Sequence, residues 1–129
     1  ISESEPPKDK KDPLGLTLKI ENSRLSLFAG APQKRLRSFG KTADGHYDLQ
    51  SLHDYLIGVK KNNKDEKNII FEPQVDLEYE KIVQIMDAVR ILKETDPAIF
   101  KKINGEEFRV KKLFNNIIFG NIRSKLVGQ

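Results

Sequence analysis

Cysteine and tryptophan are absent from this 129-residue sequence, which holds one methionine and two histidines. The lack of cysteine excludes disulfides, zinc thiolate sites and cysteine nucleophiles, but it does not fix the compartment, since many exported domains also lack cysteine. Apolar runs are short, such as Ile69-Ile70-Phe71, against the roughly 20 residues that a membrane-spanning helix needs. The sequence begins with Ile1 and not Met, so we expect it to be cut from a longer chain.

Enzyme signatures are also mostly missing. The sequence has no glycine-rich phosphate loop and no Gly-x-Ser-x-Gly nucleophile elbow. Asp44-x-His46-x-Asp48, with His53 nearby, is the best candidate cluster, since carboxylate and imidazole groups at this spacing can share a divalent ion. A turn, a helix cap and a solvated loop explain most of these positions equally well, and His53 is expected at the surface. We therefore predict no catalytic or metal site and expect no cofactor.

Positive charge is concentrated near the C-terminus of the sequence. The formal net charge is +4, and residues 97–129 hold seven basic residues against two acidic ones. Five of the basic residues form a candidate face for an anionic partner: Lys101, Lys102, Arg109, Lys111 and Lys112. Nucleic acid, anionic lipid headgroups or a cell-wall polymer that bears carboxylates would fit such a face, and a solvated face that balances acids elsewhere is the alternative.

The N-terminal segment differs in composition from the rest. Residues 1–13 contain three prolines, many charges and one aliphatic residue, a composition that cannot bury enough apolar area to offset the entropy of ordering. We predict that they form a flexible linker ahead of one folded domain at residues 14–129.

Hydrophobic periodicity predicts the elements of the first half of that domain. Residues 16–20 and 25–27 alternate apolar and polar side chains, which predicts an antiparallel hairpin. Residues 29–45 suggest a long loop with an edge strand at 36–39. Leu49, Leu52, Leu56 and Val59 form one stripe of a helix, with Asp48 as its N-cap.

The second half predicts a buried strand at residues 68–72 and a helix that runs to about Lys93, with Asp76 as its cap. Asp96-Pro97 indicates a short helix that ends at Asn104-Gly105, and residues 108–119 indicate a final strand or hairpin. The order β-β-α-β-α-β, with insertions, predicts an α+β fold in which two main helices pack on one face of a mixed sheet.

One segment, residues 68–90, resembles the periplasmic domain of the ExbD/TolR family of energy-transducing membrane proteins. In that family a buried strand leads to a Tyr that opens a helix containing Val-x-x-Met-Asp. Tyr79, Val83, Met86 and Asp87 hold those places here, and we expect them to be structural. Gln74 departs from the family, which often has Asp there, as do the longer insertions at residues 29–45 and 94–112.

The resemblance implies a non-enzymatic accessory subunit of a proton-driven motor. Its implied location is the periplasmic side of the inner membrane of a Gram-negative bacterium, after a transmembrane helix that precedes Ile1 and carries the proton-binding Asp. The implied partners are a second copy, an ExbB/TolQ-like channel subunit, and peptidoglycan or a TonB/TolA-like protein. Our candidate dimer edge is the apolar strand at Ile117, Ile118, Phe119 and Ile122. A soluble basic nucleic-acid-binding domain is the alternative hypothesis.

Overall fold

The computed structural model describes residues 13–120, which form seven strands and two helices. In chain order these elements are β1 (Thr17–Ile20), β2 (Arg24–Ala29), β3 (Lys34–Gly40), α1 (Leu49–Asn62), β4 (Asn68–Pro73), α2 (Tyr79–Arg90), β5 (Phe100–Ile103), β6 (Glu106–Arg109) and β7 (Asn116–Phe119). The predicted linker at residues 1–13 lies outside this range except for Pro13. No helix within the described residues is long and apolar enough to cross a membrane.

Five strands form one mixed sheet in the order β3-β2-β1-β4-β7, and β5 and β6 pair separately. β3, β2 and β1 are antiparallel neighbours, whereas β1, β4 and β7 run parallel. Each helix supplies a crossover on the way to a parallel strand, as parallel pairing requires. The predicted α+β class, with two helices and a mixed sheet, is confirmed.

The β1–β2 hairpin forms where alternation predicts it. Leu18 pairs with Leu27 and Ile20 pairs with Leu25, and all four side chains are fully buried on one face of the sheet. Burial of each such side chain stabilises the fold by about 1.5–3 kcal/mol. This hairpin therefore forms the centre of the hydrophobic core.

The two helices cover that same apolar face. Leu52 and Leu56 of α1 and Ile85 and Val89 of α2 belong to the buried cluster that includes the inward residues of β1, β2 and β4. Asp48 is the predicted N-cap of α1, and its Oδ1 accepts a hydrogen bond from the Ser51 amide at 3.1 Å. This cap satisfies one of the free amides of the first turn.

The prediction for the ends of α2 is wrong at both ends. The N-cap is Glu78, not Asp76, and it makes no side-chain cap hydrogen bond. The helix ends at Arg90, three residues before the predicted Lys93, because Ile91 is already extended and bridges Lys112. The C-terminal end of α2 is instead held by the chain that returns to the sheet, as Phe114 donates its amide to the Val89 carbonyl at 3.1 Å.

The edge strand β3 is longer than the predicted strand at residues 36–39. The segment assigned mainly to a loop contains β3, a seven-residue edge strand that pairs with β2 and carries a bulge opposite Leu27 and Phe28. Its side chains are mostly exposed and several are basic, so it lacks the apolar alternation that identifies a strand. The predicted buried strand, β4, has Ile69 and Phe71 buried, but Ile70 is only partly buried because the helices cover a single face.

The predicted short helix after Asp96-Pro97 is wrong. Residues 100–109 form the β5–β6 hairpin, in which Phe100 pairs with Arg109 and Ile103 pairs with Glu106. Asn104 and Gly105 connect the strands with positive φ angles of 52° and 84°, the geometry of a tight hairpin turn. Asn104 and Gly105, which were predicted to end a helix, therefore form the turn of a hairpin.

The predicted final strand is interrupted between β6 and β7. Leu113 and Phe114 are fully buried and fill the end of the core beside α2. β7 then begins at Asn116, whose amide donates to the Lys67 carbonyl at 3.0 Å.

Candidate functional site

β7 lies at one end of the sheet, with a single neighbour among the described strands. It pairs in parallel with β4, and Ile118 aligns with Ile70 while Phe119 aligns with Phe71. The Phe119 ring meets the Phe71 ring edge to face at 5.7 Å between centroids. Ile118 is 44% exposed and Phe119 is 39% exposed, whereas Ile117 packs against the core. The candidate dimer edge is thus an edge strand with two exposed apolar side chains, and Ile122 lies outside the described residues.

The five basic residues predicted as one face do not share a face. Side chains alternate along β5, so Lys101 and Lys102 project to opposite faces of the hairpin. Lys101 binds Asp65 at 2.9 Å, and Lys102 lies opposite Glu107 in the strand register. The prediction of a single face is wrong because the segment is a two-sided hairpin.

The remaining three basic residues lie at the base of that hairpin or after it. Arg109 donates from Nη2 to the Glu94 carbonyl at 3.2 Å, and Lys112 bridges Ile91 through its backbone. Lys111 is exposed. Arg123 and Lys125, which contribute to the predicted charge of this region, lie outside the described residues.

The family-motif residues are structural only in part. Tyr79 opens α2 but is 81% exposed, so its side chain does not have the structural role expected for it. Leu77, just before the helix, packs against the core at this end. Met86 also packs against the core, Val83 is half-buried, and Asp87 binds Arg90 one turn later at 2.9 Å on the surface.

His53 is buried, contrary to the surface position predicted for it. Its ring is 5% exposed and lies between the two helices, with Nδ1 2.8 Å from the Ala88 carbonyl oxygen and Nε2 2.8 Å from Oδ2 of Asp96. A carbonyl can only accept, so Nδ1 is the donor in that contact, and the hydrogen bond between Nε2 and Oδ2 completes the pair.

Asp96 is held by two groups at once. Its Oδ2 also accepts from the Lys93 amide at 2.7 Å. Burial opposes ionisation of Asp96, but the hydrogen bonds from His53 and the Lys93 amide outweigh it and lower the pKa of the carboxyl. The pair therefore pins the segment after α2 to the side of α1, and no nearby group completes a catalytic triad among the described contacts.

The Asp44, His46, Asp48 cluster is dispersed by its local structure. Asp48 caps α1, Asp44 accepts a hydrogen bond from the Thr42 hydroxyl, which lowers the pKa of Asp44, and His53 points into the helix layer. Within residues 13–120, no group of three or more His, Asp or Glu side chains could hold a metal ion.

A cleft of about 360 Å³ lies between the 41–47 loop and α2. Lys41, His46 and Lys81 line it, together with amides and apolar side chains, and none of the described residues that line it is acidic. The Lys41 Nζ lies 4.9 Å above the Tyr47 ring, and the Tyr47 hydroxyl donates to the Glu21 carbonyl at 2.5 Å. Sequence reasoning missed this cleft because its residues come from three separate segments.

Lys60 is a second buried polar group that the sequence did not reveal. Its side chain donates to the Glu66 carbonyl at 2.5 Å and lies 5.2 Å above the Phe114 ring. Burial, aided by the nearby Lys101, lowers the pKa of Lys60. The helical spacing of α1 places Lys60 on its buried stripe. This spacing is the sequence feature from which the burial of Lys60 could have been predicted.

Comparison with family models, with curated proteins and with solved structures finds no match for this chain. The resemblance to the ExbD/TolR family therefore rests on residues 68–90 and on the order of the elements.

Proposed function

We propose that this chain is the periplasmic module of a proton-motive-force transducer of the ExbD/TolR type, which pairs with a second copy and binds the cell wall or a partner protein. It performs no catalysis. The proton-binding Asp and the contact with a channel subunit belong to a transmembrane helix upstream of Ile1.

The position of β7 at the edge of the sheet, with one partner among the described strands, is the observation that carries the proposal. An exposed edge strand with apolar side chains is a template for strand pairing and is normally paired or protected. Ile118 and Phe119 present such side chains, one on each face of the sheet. A second β7 strand, or an extended segment of a partner, would cover both the backbone edge and these side chains.

The arrangement of helices and strands supports the same proposal. The elements β1, β2, α1, β4, α2 and β7 follow the predicted β-β-α-β-α-β order, with the helices on one face, and the early hairpin and helix agree with the family. β3 and the β5–β6 hairpin occupy the two insertions by which this chain departs from the family.

The cleft beside α2 supports cell-wall binding. Lys41, His46 and Lys81 offer donors to a carboxylate, and the peptide stems of a cell-wall polymer carry carboxylates. We expect the Lys41→Ala/Lys81→Ala variant to pellet less with purified peptidoglycan than the unmodified chain. Equal pelleting of the two proteins would remove this cleft from the proposal.

Sedimentation equilibrium tests the pairing directly. Ile118→Lys places a charge at the β7 edge and should weaken self-association at least about tenfold. Leu36→Lys is the matched control, since Leu36 is similarly exposed on β3 at the opposite edge and should leave association unchanged. A chain that is monomeric at all concentrations, or equal effects of the two substitutions, would overturn pairing through β7.

The native gene upstream of Ile1 tests the membrane part of the proposal. We expect about 20 consecutive apolar residues with one embedded Asp before this sequence. A start codon close to Ile1 would contradict that part.

A further inference from the structure

One end of the sheet collects most of the positive charge. β1, β4 and β7 run parallel, so all three begin at the same end. The β2–β3 turn also lies there, because Gly30 donates its amide to the Leu14 carbonyl at 3.1 Å. The last turns of α1 and α2 reach this end, since Lys60 of α1 donates to the Glu66 carbonyl just before β4 and the Val89 carbonyl of α2 accepts from Phe114 just before β7. We call it the basic end.

Charge counts separate this end from the other. The basic end, together with the connection that leaves from it and returns to it, comprises residues 30–36, 60–68 and 87–115. These residues include thirteen basic and seven acidic side chains, a net charge of +6. The opposite end has the reverse balance.

That opposite end consists of the β1–β2 turn, the loop before α1 and the segment from the end of β4 into α2. Residues 21–24, 41–48 and 72–81 hold three basic and seven acidic side chains, a net charge of −4. The described part of the molecule is therefore a dipole along the strand direction, and an anionic surface would orient it with the basic end inward.

The β5–β6 hairpin adds apolar groups to the basic end. Phe100, Ile103 and Phe108 are each 45–46% exposed, and the hairpin pairs with no other strand of the described chain. By the strand register, Phe100 projects to one face and Ile103 and Phe108 to the other. A hairpin that enters a fluid interface can be contacted on both faces. A partner protein with a flat surface would cover only one of them.

The hairpin lies next to the point where the N-terminal segment joins the folded body. Leu14 donates its amide to Oε1 of Glu66 at 3.0 Å, and Lys101 binds the adjacent Asp65 at 2.9 Å. A membrane anchor ahead of residue 14 would therefore attach to the body at the end that carries the hairpin. This orientation rests on the proposed function, whereas the charge separation and the exposed hairpin do not.

We propose that the basic end and the β5–β6 hairpin dock on the surface of an anionic lipid bilayer. Lysine and arginine near such a surface are attracted to acidic headgroups, and apolar side chains between them enter the interface. A stacking surface for single-stranded nucleic acid needs aromatic rings on one face, but Phe100 and Phe108 lie on opposite faces. The lipid surface is therefore the better match.

Vesicle sedimentation with the 129-residue chain tests this proposal. Three probes are compared. They are vesicles of phosphatidylcholine with roughly 30% phosphatidylglycerol, vesicles of phosphatidylcholine alone, and a DNA duplex of about 20 base pairs. We expect binding to the anionic vesicles that weakens as salt rises, and at least tenfold weaker binding to the neutral ones.

Two double variants with the same change in charge locate the binding surface. Lys64→Glu/Lys111→Glu changes exposed residues of the basic end and should weaken binding about 30-fold or more. Arg24→Glu/Arg37→Glu changes exposed residues outside it and should weaken binding only a few-fold. Ile103→Ser should weaken binding to anionic vesicles while the salt dependence remains.

Three results would overturn the proposal: equal binding to both vesicle types, equal losses in the two double variants, or tighter binding to the duplex than to anionic vesicles at physiological salt. These results are independent of pairing through β7, which sedimentation equilibrium measures without lipid. Failure of docking and failure of the proposed function are therefore distinguishable.

Discussion

Phe71 in β4 and Phe108 in β6 show how differently two regions of this molecule use the same residue. Phe71 is fully buried between the sheet and the helices, whereas Phe108 is 45% exposed on a hairpin with no further strand partner among the described residues. Packing explains the apolar residues of the sheet and helix layer, which we call the body. It does not explain the exposed apolar residues of the hairpin, which the proposed docking on a lipid surface would explain.

The largest expected difference compares these two phenylalanines. Phe71→Ala should lower the free energy of unfolding by about 3–5 kcal/mol, because it leaves a cavity in the core. Phe108→Ala should lower it by less than about 1 kcal/mol, because much of the ring is already in water. Urea unfolding of both variants measures this, and equal losses would mean that the hairpin is part of the core.

The junction between the body and the connection to the hairpin should be sensitive to pH. The pKa of Asp96 is lowered in the folded state, so its contribution is present above the unfolded pKa of about 3.9 and is lost as the pH falls through the folded pKa. Asp96→Asn should cost about 1–3 kcal/mol at neutral pH, and the two proteins should converge in strong acid.

Asp54→Asn is the control for that experiment. Asp54 lies on the exposed side of α1, where it accepts a hydrogen bond from Gln50, and its substitution should cost less than about 0.5 kcal/mol at either pH. A difference between Asp96→Asn and the unmodified chain that is independent of pH would contradict the account of this pair.

A substitution in the turn of the hairpin should lower the stability of the hairpin alone. Gly105 has a φ of 84°, so Gly105→Ala should destabilise the hairpin by about 1 kcal/mol and speed its amide exchange about fivefold. The urea midpoint should stay unchanged, since the body does not depend on the hairpin. Gly40→Ala is the control, because its added methyl group meets open space and its φ lies outside the left-handed region.

The smallest expected effect concerns the ion pair that joins the hairpin to the body. The carboxylate of Asp65 is almost fully exposed, so Lys101→Gln should change the free energy of unfolding by less than about 0.5 kcal/mol. A loss above about 1 kcal/mol in the same urea experiment would show that the body holds the hairpin more firmly than its contacts indicate.

The regions that could be predicted from the sequence are those whose apolar residues are buried. The β1–β2 hairpin and α1 follow directly from the alternation of Leu18, Ile20, Leu25 and Leu27 and from the helical spacing of Leu52 and Leu56. Burial imposes a period on these residues, and the period can be read from the sequence.

The two errors in element type, at β3 and at the β5–β6 hairpin, fall where burial imposes no such period. β3 is an exposed basic edge strand, and the hairpin exposes apolar side chains on both faces, so neither has one apolar side. Asp96-Pro97 and Asn104-Gly105 then resemble the two ends of a helix, although the second pair closes a hairpin.

The candidate site was only partly predictable for a different reason. The edge position of β7 and the basic character of residues 101–112 could be anticipated, because both depend on residues close together in the sequence. The His53–Asp96 pair and the cleft around Lys41 and Lys81 could not, since each joins segments that are more than 30 residues apart.

Amide hydrogen exchange of the chain, alone and with anionic vesicles, tests most directly the claim that the body is built for stability and the hairpin for binding. We expect slow exchange in β1, β2 and β4 under both conditions, and fast exchange at residues 100–109 that slows only when vesicles are present. Hairpin amides that exchange as slowly as those of β1 in the chain alone, or vesicle-induced protection confined to the end of the sheet opposite the basic end, would contradict the account.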